Sequence, residues 1–203
     1  MKALILDMYG VILKDPEGGL MPFINRIFPG LNHGDVYVHW IRASKGEITS
    51  CDFFRELGFQ GDPKEIEREY LDTIEINESF YEIAPLLKKH FHLALLSNDL
   101  SEWSSYLREK FSLNEYFDAI VISGDVKLKK PDLQIFRLVL DKLGHRASDC
   151  IYVDDRRTNL AAAQSLGMDT ILFDSRNVPY GGKSVKSFEE LAMMLAEDYR
   201  AQR

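Results

Sequence analysis

The sequence predicts an α/β fold in which a parallel β-sheet is covered by helices on both faces. Five short apolar segments have the length of buried strands, and they lie at residues 3–6, 93–96, 119–122, 151–153 and 170–173. Segments with the helical spacing of apolar residues alternate with the later strands, at residues 133–143, 160–166 and 187–200. Buried strands that alternate with helices are typical of parallel sheets.

The ends of these helices carry recognisable signals. Gly144 and Gly167 each follow directly on a helical segment, where glycine favours the end of a helix. The last helix begins with Ser187 and has Glu190 three residues later, which is the spacing of a capping box. The pattern therefore predicts three separate helices between and after the later strands.

One connection is far longer than a crossover between parallel strands needs. More than 80 residues separate Asp7 from Leu93, whereas about a dozen residues suffice for a crossover. The excess contains four helical patterns, at residues 20–28, 35–45, 51–57 and 64–76. We therefore expect a helical subdomain inserted directly after the first strand.

The expected division of the chain follows from this insertion. Residues 1–15 and 78–203 would form the core, and residues 16–77 would form the inserted helical cap. Pro16, Gly18 and Gly19 are the expected hinge residues where the chain leaves the sheet.

Composition excludes several classes of protein. Asp and Glu number 32 against 25 Lys and Arg, and the net charge of −7 argues against a dedicated nucleic-acid-binding protein. The only two cysteines, Cys51 and Cys150, are too far apart in sequence to indicate a disulfide framework or a thiolate zinc site. The N-terminal apolar run stops at Asp7, and no apolar stretch approaches the roughly 20 residues of a membrane span. We expect a cytoplasmic monomer or homodimer with no nucleic-acid or membrane partner.

Polar side chains follow the predicted strands at four places. They are Asp7 after the first strand, Ser97 and Asn98 after the second, Lys130 ahead of the helix at 133–143, and Asp154 and Asp155 after the fourth. In an open α/β sheet these strand ends form the ligand crevice. A carboxylate there acts as a nucleophile or metal ligand, hydroxyl and backbone N–H donors suit phosphate, and adjacent carboxylates suit Mg²⁺. Each has an ordinary structural explanation when taken singly, but together they indicate a phosphate site.

These segments resemble the four motifs of the haloacid dehalogenase-like hydrolase superfamily, in order and over essentially the whole chain. The motifs are LILDMYGVIL, LLSND, the KKP of LKKPDLQIF, and IYVDDRRTNLAAAQSLGM. SGDVKLKKPDLQIF and VDDRRTNLAAA are most similar to bacterial sugar-phosphate phosphatases, including the glucose-1-phosphate type, and to the phosphatase domain of bifunctional epoxide hydrolases. The resemblance implies a Rossmann-like sheet with an α-helical cap, and a Mg²⁺-dependent phosphatase of small phosphorylated metabolites such as sugar phosphates.

The resemblance also implies roles for the acidic residues. Asp7 would attack phosphorus and form an aspartyl-phosphate. Mg²⁺ would bind the Asp7 carboxylate, the Tyr9 backbone carbonyl and Asp155. Asp154 would support Asp155, and Asn159 would brace the loop of the fourth motif.

The remaining roles concern the phosphate and the rest of the substrate. Ser97 and the Asn98 backbone would hold phosphoryl oxygens, and Lys130 would neutralise both Asp7 and the phosphate. In the cap, Arg42 is the residue expected to contact the substrate, because a guanidinium can bind an anionic group through two hydrogen bonds.

Tyr9 departs from the phosphatase pattern, which has a general acid and base, usually Asp, two residues after the nucleophile. A phenol with a pKa near 10 is a poor proton shuttle, and general acid–base help is worth about 10²–10⁴-fold, so slow activity is expected. Metal-independent 2-haloacid dehalogenases carry Tyr there, in a pattern like Asp7-Met8-Tyr9-Gly10. At the positions of Asp154 and Asp155, these dehalogenases have a Ser-Asn pattern and hold no Mg²⁺. The acidic pair of this chain therefore favours the phosphatase. A non-catalytic binding protein on the same fold is the third alternative.

Overall fold

A six-stranded, entirely parallel β-sheet forms the centre of the molecule. In the computed structural model, which describes residues 1–14, 19–174, 177 and 179–201, the strands are β1 (Lys2–Leu6), β2 (Phe91–Ser97), β3 (Ala119–Ile122), β4 (Cys150–Asp154), β5 (Asp169–Phe173) and β6 (Lys183–Val185). Their order across the sheet is β3-β2-β1-β4-β5-β6. The predicted α/β fold with a parallel sheet is confirmed.

Ten α-helices surround or cap the sheet within the described residues. The first four, between β1 and β2, are α1 (Leu20–Ile27), α2 (His33–Ser44), α3 (Ser50–Glu56) and α4 (Pro63–Asp72). The others are α5 (Ser79–Lys88), α6 (Ser101–Lys110), α7 (Ser123–Val126), α8 (Leu133–Leu143), α9 (Arg157–Ser165) and α10 (Phe188–Ala201). Two short 3₁₀ helices lie at Asn114–Tyr116 and Ala147–Asp149. No helix in this part of the chain is long and apolar enough to cross a bilayer.

The central strands are continuously apolar because both faces of the sheet are buried. Successive side chains of a strand point to opposite faces. Leu4 and Leu6 join one hydrophobic core, with residues of α5, α10 and the first four helices. Ala3 and Ile5 join a second core on the other face, with residues of α8 and α9. The sheet is therefore a middle layer between two helical layers.

The helices α1–α4 leave and rejoin the core through two segments that lie side by side. Leu13 forms an antiparallel bridge with Ile76, and the Asn77 N–H donates to the Ile12 carbonyl over 2.8 Å. This arrangement accords with an insertion, and the boundaries at residues 16 and 77 stay a prediction. Of the expected hinge residues, Pro16 and Gly18 lie outside the described residues. Gly19 directly precedes α1 with φ of +71°.

Among the contacts that attach this helical cap to the core, two involve close packing. Trp103 on α6 is 1% exposed, and its ring lies 5.0 Å from Tyr70 and 6.0 Å from Phe53 of the cap. It packs in the core and does not line the crevice. At Gly46, where φ is +63°, a Cβ would lie only 2.1 Å from the carbonyl oxygen of Gly124. The close backbone approach there requires glycine.

Several element boundaries differ from the prediction. The segments predicted at 119–122 and 133–143 coincide with β3 and α8, and the other predicted elements are displaced by a few residues at their ends. The helix predicted over 64–76 ends at Asp72, because the following residues turn back to pair with the outgoing segment. Helix α5, which contains Pro85, and strand β6, in which only Val185 is buried, were not predicted. Strand β6 has only three residues and no apolar alternation, whereas α5 does have apolar residues at helical spacing, which the prediction did not use: Phe80, Ile83, Ala84 and Leu87.

Candidate active site

The register of the three central strands brings the first and fourth motifs together. Leu6 lies opposite Leu95 of β2 and Val153 of β4, so the next residues on each strand share one edge of the sheet. The Asp7 N–H donates to the Val153 carbonyl over 2.9 Å. The carboxylates of Asp7, Asp154 and Asp155 therefore converge, as the sequence predicts.

Lys130 joins the converging carboxylates. Its ammonium lies 2.7 Å from Oδ1 of Asp7 and 3.0 Å from Oδ2 of Asp154, and it donates to the Leu96 carbonyl over 2.9 Å. All three charged side chains are almost completely buried. Burial lowers the pKa of Lys130, but the two carboxylates outweigh burial, and its pKa lies above the ordinary value. Lys130 is therefore cationic at neutral pH.

Asn98 fixes the backbone that carries this lysine. The Lys130 N–H donates to Oδ1 of Asn98 over 2.8 Å, and the amide of Asn98 donates back to the Lys130 carbonyl over 2.9 Å. The second and third motifs are thus joined by a reciprocal pair of hydrogen bonds. No local pattern predicts this pairing, since it joins two loops that are 32 residues apart in the chain.

Asp154 supports Lys130 and the start of α9. Besides Lys130, its carboxylate accepts hydrogen bonds from the Tyr152 hydroxyl, the Asn159 amide and the Arg156 N–H. Burial raises the pKa of Asp154, but the charge of Lys130 and the hydrogen bonds that the carboxylate accepts together outweigh burial and lower the pKa overall. Both carboxylate oxygens are engaged by protein donors, which leaves Asp154 poorly suited as a metal ligand. The Asn159 amide thus links the start of α9 to Asp154, and its expected bracing role stays a prediction.

Asp155 is the second carboxylate that could hold a metal with Asp7. Oxygens of Asp7, Asp154 and Asp155 lie within 4.8 Å of one another. Gly10, with φ of +75°, passes so close to Asp155 that a Cβ there would lie 2.8 Å from its Cγ. Hard oxygen donors of this kind suit Mg²⁺. The residues therefore fit a magnesium ion held by Asp7 and Asp155.

The nucleophile candidate is strongly influenced by its neighbours. Burial raises the pKa of Asp7 well above its ordinary value, and the charges of Asp154 and Asp155 add to this, whereas Lys130 opposes it. The Met8 N–H donates to Oδ1 of Asp7 over 2.7 Å, the same oxygen that faces Lys130. A cation beside the carboxylates would favour the ionised form of Asp7.

The phenol of Tyr9 faces a buried acid. Its hydroxyl lies 3.4 Å from Oδ2 of Asp99, which is 0% exposed. Burial raises the pKa of Asp99 well above its usual range. Tyr9 nevertheless lines the cavity above Asp7, at the place where the phosphatase pattern has a carboxylate.

The hydroxyl of Ser97, at the end of β2, makes no hydrogen bond among the described residues. Its side chain is 0% exposed. A buried hydroxyl without a partner costs stability, so an unused one beside a polar site calls for a ligand or water. The predicted role of Ser97 and Asn98 toward phosphate oxygens remains a prediction.

A cavity of about 270 Å³ opens above the carboxylates, between the core and the cap. Its floor includes Asp7, Tyr9, Asn98, Lys130, Pro131, Asp155, Thr158 and Asn159, and its walls are Tyr37, Trp40, Tyr70, Lys129 and Arg156. The wall residues were not predicted as a group. Tyr37 and Trp40, three residues apart on α2, share one face of that helix, which is a signal that could have indicated them.

Arg42, the cap residue expected to contact substrate, does not line this cavity. Its guanidinium pairs with Glu56, which also accepts from His39 over 2.7 Å. Two residues correspond to roughly 200° around a helix, so Arg42 and Trp40 point to different sides of α2. The structure does not bring Arg42 together with the other predicted site residues, because the sequence does not reveal which face of the helix the cap turns toward the core.

Comparison with known proteins agrees with this geometry. The family described as haloacid dehalogenase-like hydrolase matches residues 6–173. A drimenol cyclase of Aspergillus calidoustus is 25% identical over 185 residues, which cover 87% of this chain and 34% of the cyclase. Flavin mononucleotide hydrolase 1 of Arabidopsis thaliana is 25% identical over 182 residues, covering 85% of this chain and 72% of that protein. The chain thus spans about a third of the cyclase.

A solved structure with the same fold comes from Bacteroides thetaiotaomicron. This HAD-family enzyme, in complex with magnesium and inorganic phosphate, gives a TM-score of 0.76 at 20% identity. The match covers 89% of this chain and 98% of that one. At this identity the likeness shows the fold alone, a Rossmann-like sheet with a helical cap.

Proposed function

Because the chain belongs to the haloacid dehalogenase-like hydrolase family, we propose that it is a magnesium-dependent phosphatase of small phosphorylated metabolites. The observation that carries the proposal is the buried group of Asp7, Asp155 and Lys130 at the floor of a cavity. A nucleophilic carboxylate, a divalent-cation site and a fixed ammonium are the parts that phosphoryl transfer requires.

The chain's own residues supply the nucleophile and most of the phosphate contacts of a two-step reaction. A carboxylate oxygen of Asp7 attacks phosphorus, the bond from phosphorus to the ester oxygen breaks, and an aspartyl-phosphate forms. Lys130 neutralises charge on Asp7 and on the phosphoryl group, and Ser97 donates its unused hydroxyl to a phosphoryl oxygen. Water then breaks the new phosphorus–oxygen bond and regenerates Asp7. Mg²⁺, held by Asp7, Asp155 and the Tyr9 carbonyl, supplies Lewis-acid stabilisation of the phosphoryl charge when bound.

Protonation of the leaving group is the weak point of this reaction. With Tyr9 in place of a carboxylic acid, the departing alkoxide takes its proton from water. General acid help is typically worth about 10²–10⁴-fold. We therefore expect slow hydrolysis of ordinary esters and faster hydrolysis of esters with good leaving groups.

The part of the substrate that bears the phosphate is a separate question, because the relatives are named for different substrates. One is a flavin mononucleotide hydrolase, and another, from Aspergillus oryzae, is a sesquiterpene phosphatase. Sugar phosphates remain the class predicted by the motif resemblance. The cap of this chain, with its aromatic wall, decides between such substrates.

The test is phosphate release from p-nitrophenyl phosphate and a panel of sugar phosphates, with MgCl₂ or with EDTA. We expect release that EDTA abolishes and that Asp7→Asn removes. BeF₃⁻ with Mg²⁺ should protect the wild-type chain from thermal unfolding, and it should not protect Asp7→Asn. No Mg²⁺-dependent release from any substrate would refute the proposal.

Tyr9 supports a second candidate, a metal-independent dehalogenase in which Asp7 displaces halide from carbon. Halide release from 2-chloropropionate that persists in EDTA would favour it, and no release would remove it. A non-catalytic binding protein would instead bind a ligand that Asp7→Asn still binds, with no turnover of any substrate.

A further inference from the structure

Two adjacent lysines, Lys129 and Lys130, line the cavity and differ in the groups that surround their ammonium ions. The ammonium of Lys130 is paired with Asp7 and Asp154. The ammonium of Lys129 donates to the Ser44 hydroxyl over 2.8 Å and lies 5.7 Å from the centre of the Trp40 ring. Within the described ranges, no carboxylate lies within 4 Å of Lys129. Its charge is therefore not compensated by an ion pair.

The surroundings of Lys129 disfavour its protonated form. Burial lowers the pKa of Lys129 to about 8, and the positive charges of Arg156 and Lys45 contribute to the lowering. At pH 7 the side chain is still mainly protonated. Buried cations in proteins are normally paired. A largely buried cation without a pair, facing a cavity, is suited to an anionic ligand.

The position of this cation is fixed by both parts of the molecule. Ser44, which ends α2 in the cap, accepts from Lys129, while the neighbouring Lys130 is anchored in the core. Trp40, beneath the ammonium, lies 5.7 Å from the buried ring of Trp103. Lys129 therefore presents its charge at a defined place in the wall, beyond the carboxylates of the floor.

We propose that Lys129 binds a carboxylate on the substrate, so that the site prefers phosphomonoesters that carry a second anionic group over neutral ones. Of the three cationic side chains that line the cavity, Lys130 is paired with Asp7 and Asp154, and Arg156 lies 3.9 Å from Asp155. Among the described residues, Lys129 is the cavity cation that no carboxylate compensates. The single positive charge of Lys129 balances one carboxylate. A small substrate that carries both a phosphate and a carboxylate fits the cavity of about 270 Å³. The inference rests on the proposed phosphatase function and refines its substrate class.

A structural role for Lys129 is the competing explanation, because its bond to Ser44 joins the core to the cap. Such a role predicts that removing the ammonium lowers stability and leaves ligand preference unchanged. The two explanations are separated by comparing acids with their amides, which differ in charge and hardly in size.

The experiment measures dissociation constants by calorimetry on Mg²⁺-saturated protein. The ligands are phosphonoacetate, 3-phosphonopropionate and 4-phosphonobutyrate, each beside its amide, so that no turnover is required. We expect at least one acid to bind about tenfold tighter than its amide. In Lys129→Met the ratio should fall to about one, with the amide affinity unchanged within about twofold. Lys129→Arg, which keeps the charge, should keep much of the preference.

Lys127→Met is the matched control. Lys127 lies two residues earlier, is exposed, and does not line the cavity, so its removal should leave the ratio unchanged. Because the pKa of Lys129 is about 8, the wild-type ratio should also decline between pH 7 and pH 9. Lys45 and Arg156 are the charged groups whose positive charges act on Lys129.

Parallel turnover of the corresponding phosphate esters separates the outcomes. Selective binding of an acid without hydrolysis of any ester would contradict the phosphatase and leave the carboxylate site standing. Equal affinity for acid and amide at every chain length, or no binding of either, would overturn the carboxylate site. A preference that survives in Lys129→Met would overturn the role of this residue.

Discussion

Replacing Asp154 by Asn should destabilise the protein and leave magnesium binding in place. Replacing Asp155 by Asn should weaken magnesium binding and change the stability of the metal-free protein little. Asp154 is 0% exposed and is paired with Lys130 at 3.0 Å. Breaking a buried ion pair from one side costs about 3–5 kcal/mol. Because Asp7 remains beside Lys130, we expect a value near the lower end, about 3 kcal/mol. For a chain of this size that corresponds to roughly 6–12 °C in Tm.

Asp155→Asn should behave differently because this carboxylate repels its neighbour. The charge of Asp155 raises the pKa of Asp7, and its guanidinium partner on Arg156 is 3.9 Å away. Loss of the charge should therefore change Tm without magnesium by little. In the wild type, Mg²⁺ at about 100 times its Kd adds about 2.7 kcal/mol of stability, or roughly 5–10 °C. Asp155→Asn should lose most of that increment.

The assay is thermal unfolding of the wild type and both variants in EDTA and in saturating MgCl₂. We expect a low Tm in EDTA and a preserved magnesium increment for Asp154→Asn. For Asp155→Asn we expect a normal Tm in EDTA and little increment. If Asp154→Asn abolished the increment and kept the Tm of the wild type, the assignment of roles to the two carboxylates would be wrong.

Three further predictions concern positions in or beside the site. Tyr9→Asp should raise kcat for p-nitrophenyl phosphate or sugar phosphates by about tenfold or more, by restoring an acid, whereas Tyr9→Phe should not; equal rates would show that proton transfer is not limiting. Gly46→Ala should lower Tm more than Gly58→Ala, because both have positive φ but only at Gly46 would the Cβ overlap another backbone atom; equal losses in thermal unfolding would contradict that contact. Gly10→Ala should reduce the magnesium increment in Tm, since its Cβ would displace Asp155; an unchanged increment would mean that the metal does not use this carboxylate.

The parts of the fold that local chemistry determines could be predicted from the sequence. Strands β1 and β4 are continuous apolar runs because both of their faces are buried, and each run ends at a carboxylate. Helix α8 has its own cap signals, with the Asp132 side chain at its start and Gly144 in the left-handed conformation at its end. Where burial requires apolar residues, or a helix end requires a capping residue, the local sequence pattern is enough to predict the strand or helix.

The partners of the site residues could not be predicted in the same way. The sequence suggested that Asp154 supports Asp155, but in the structure Asp154 pairs with Lys130, which comes from a loop 24 residues away. Likewise, the choice between Arg42 and Trp40 as a wall residue depends on how the cap sits on the core. Both depend on tertiary placement, which a single sequence does not encode locally.

The distribution of charge bears on the choice between phosphatase and dehalogenase. Asp7, Asp154 and Asp155 lie within one small cluster, and the buried ammonium of Lys130 is shared by the first two. A substrate that brings another negative charge meets repulsion unless a further cation is present. Halide displacement without a metal would leave the charge of Asp155 beside the nucleophile uncompensated, even where Lys129 binds the carboxylate of a 2-haloacid. Since a divalent cation at Asp7 and Asp155 removes the repulsion, the same residues that hinder a metal-free reaction favour a magnesium-dependent one, and hydrolysis insensitive to EDTA would contradict this reasoning.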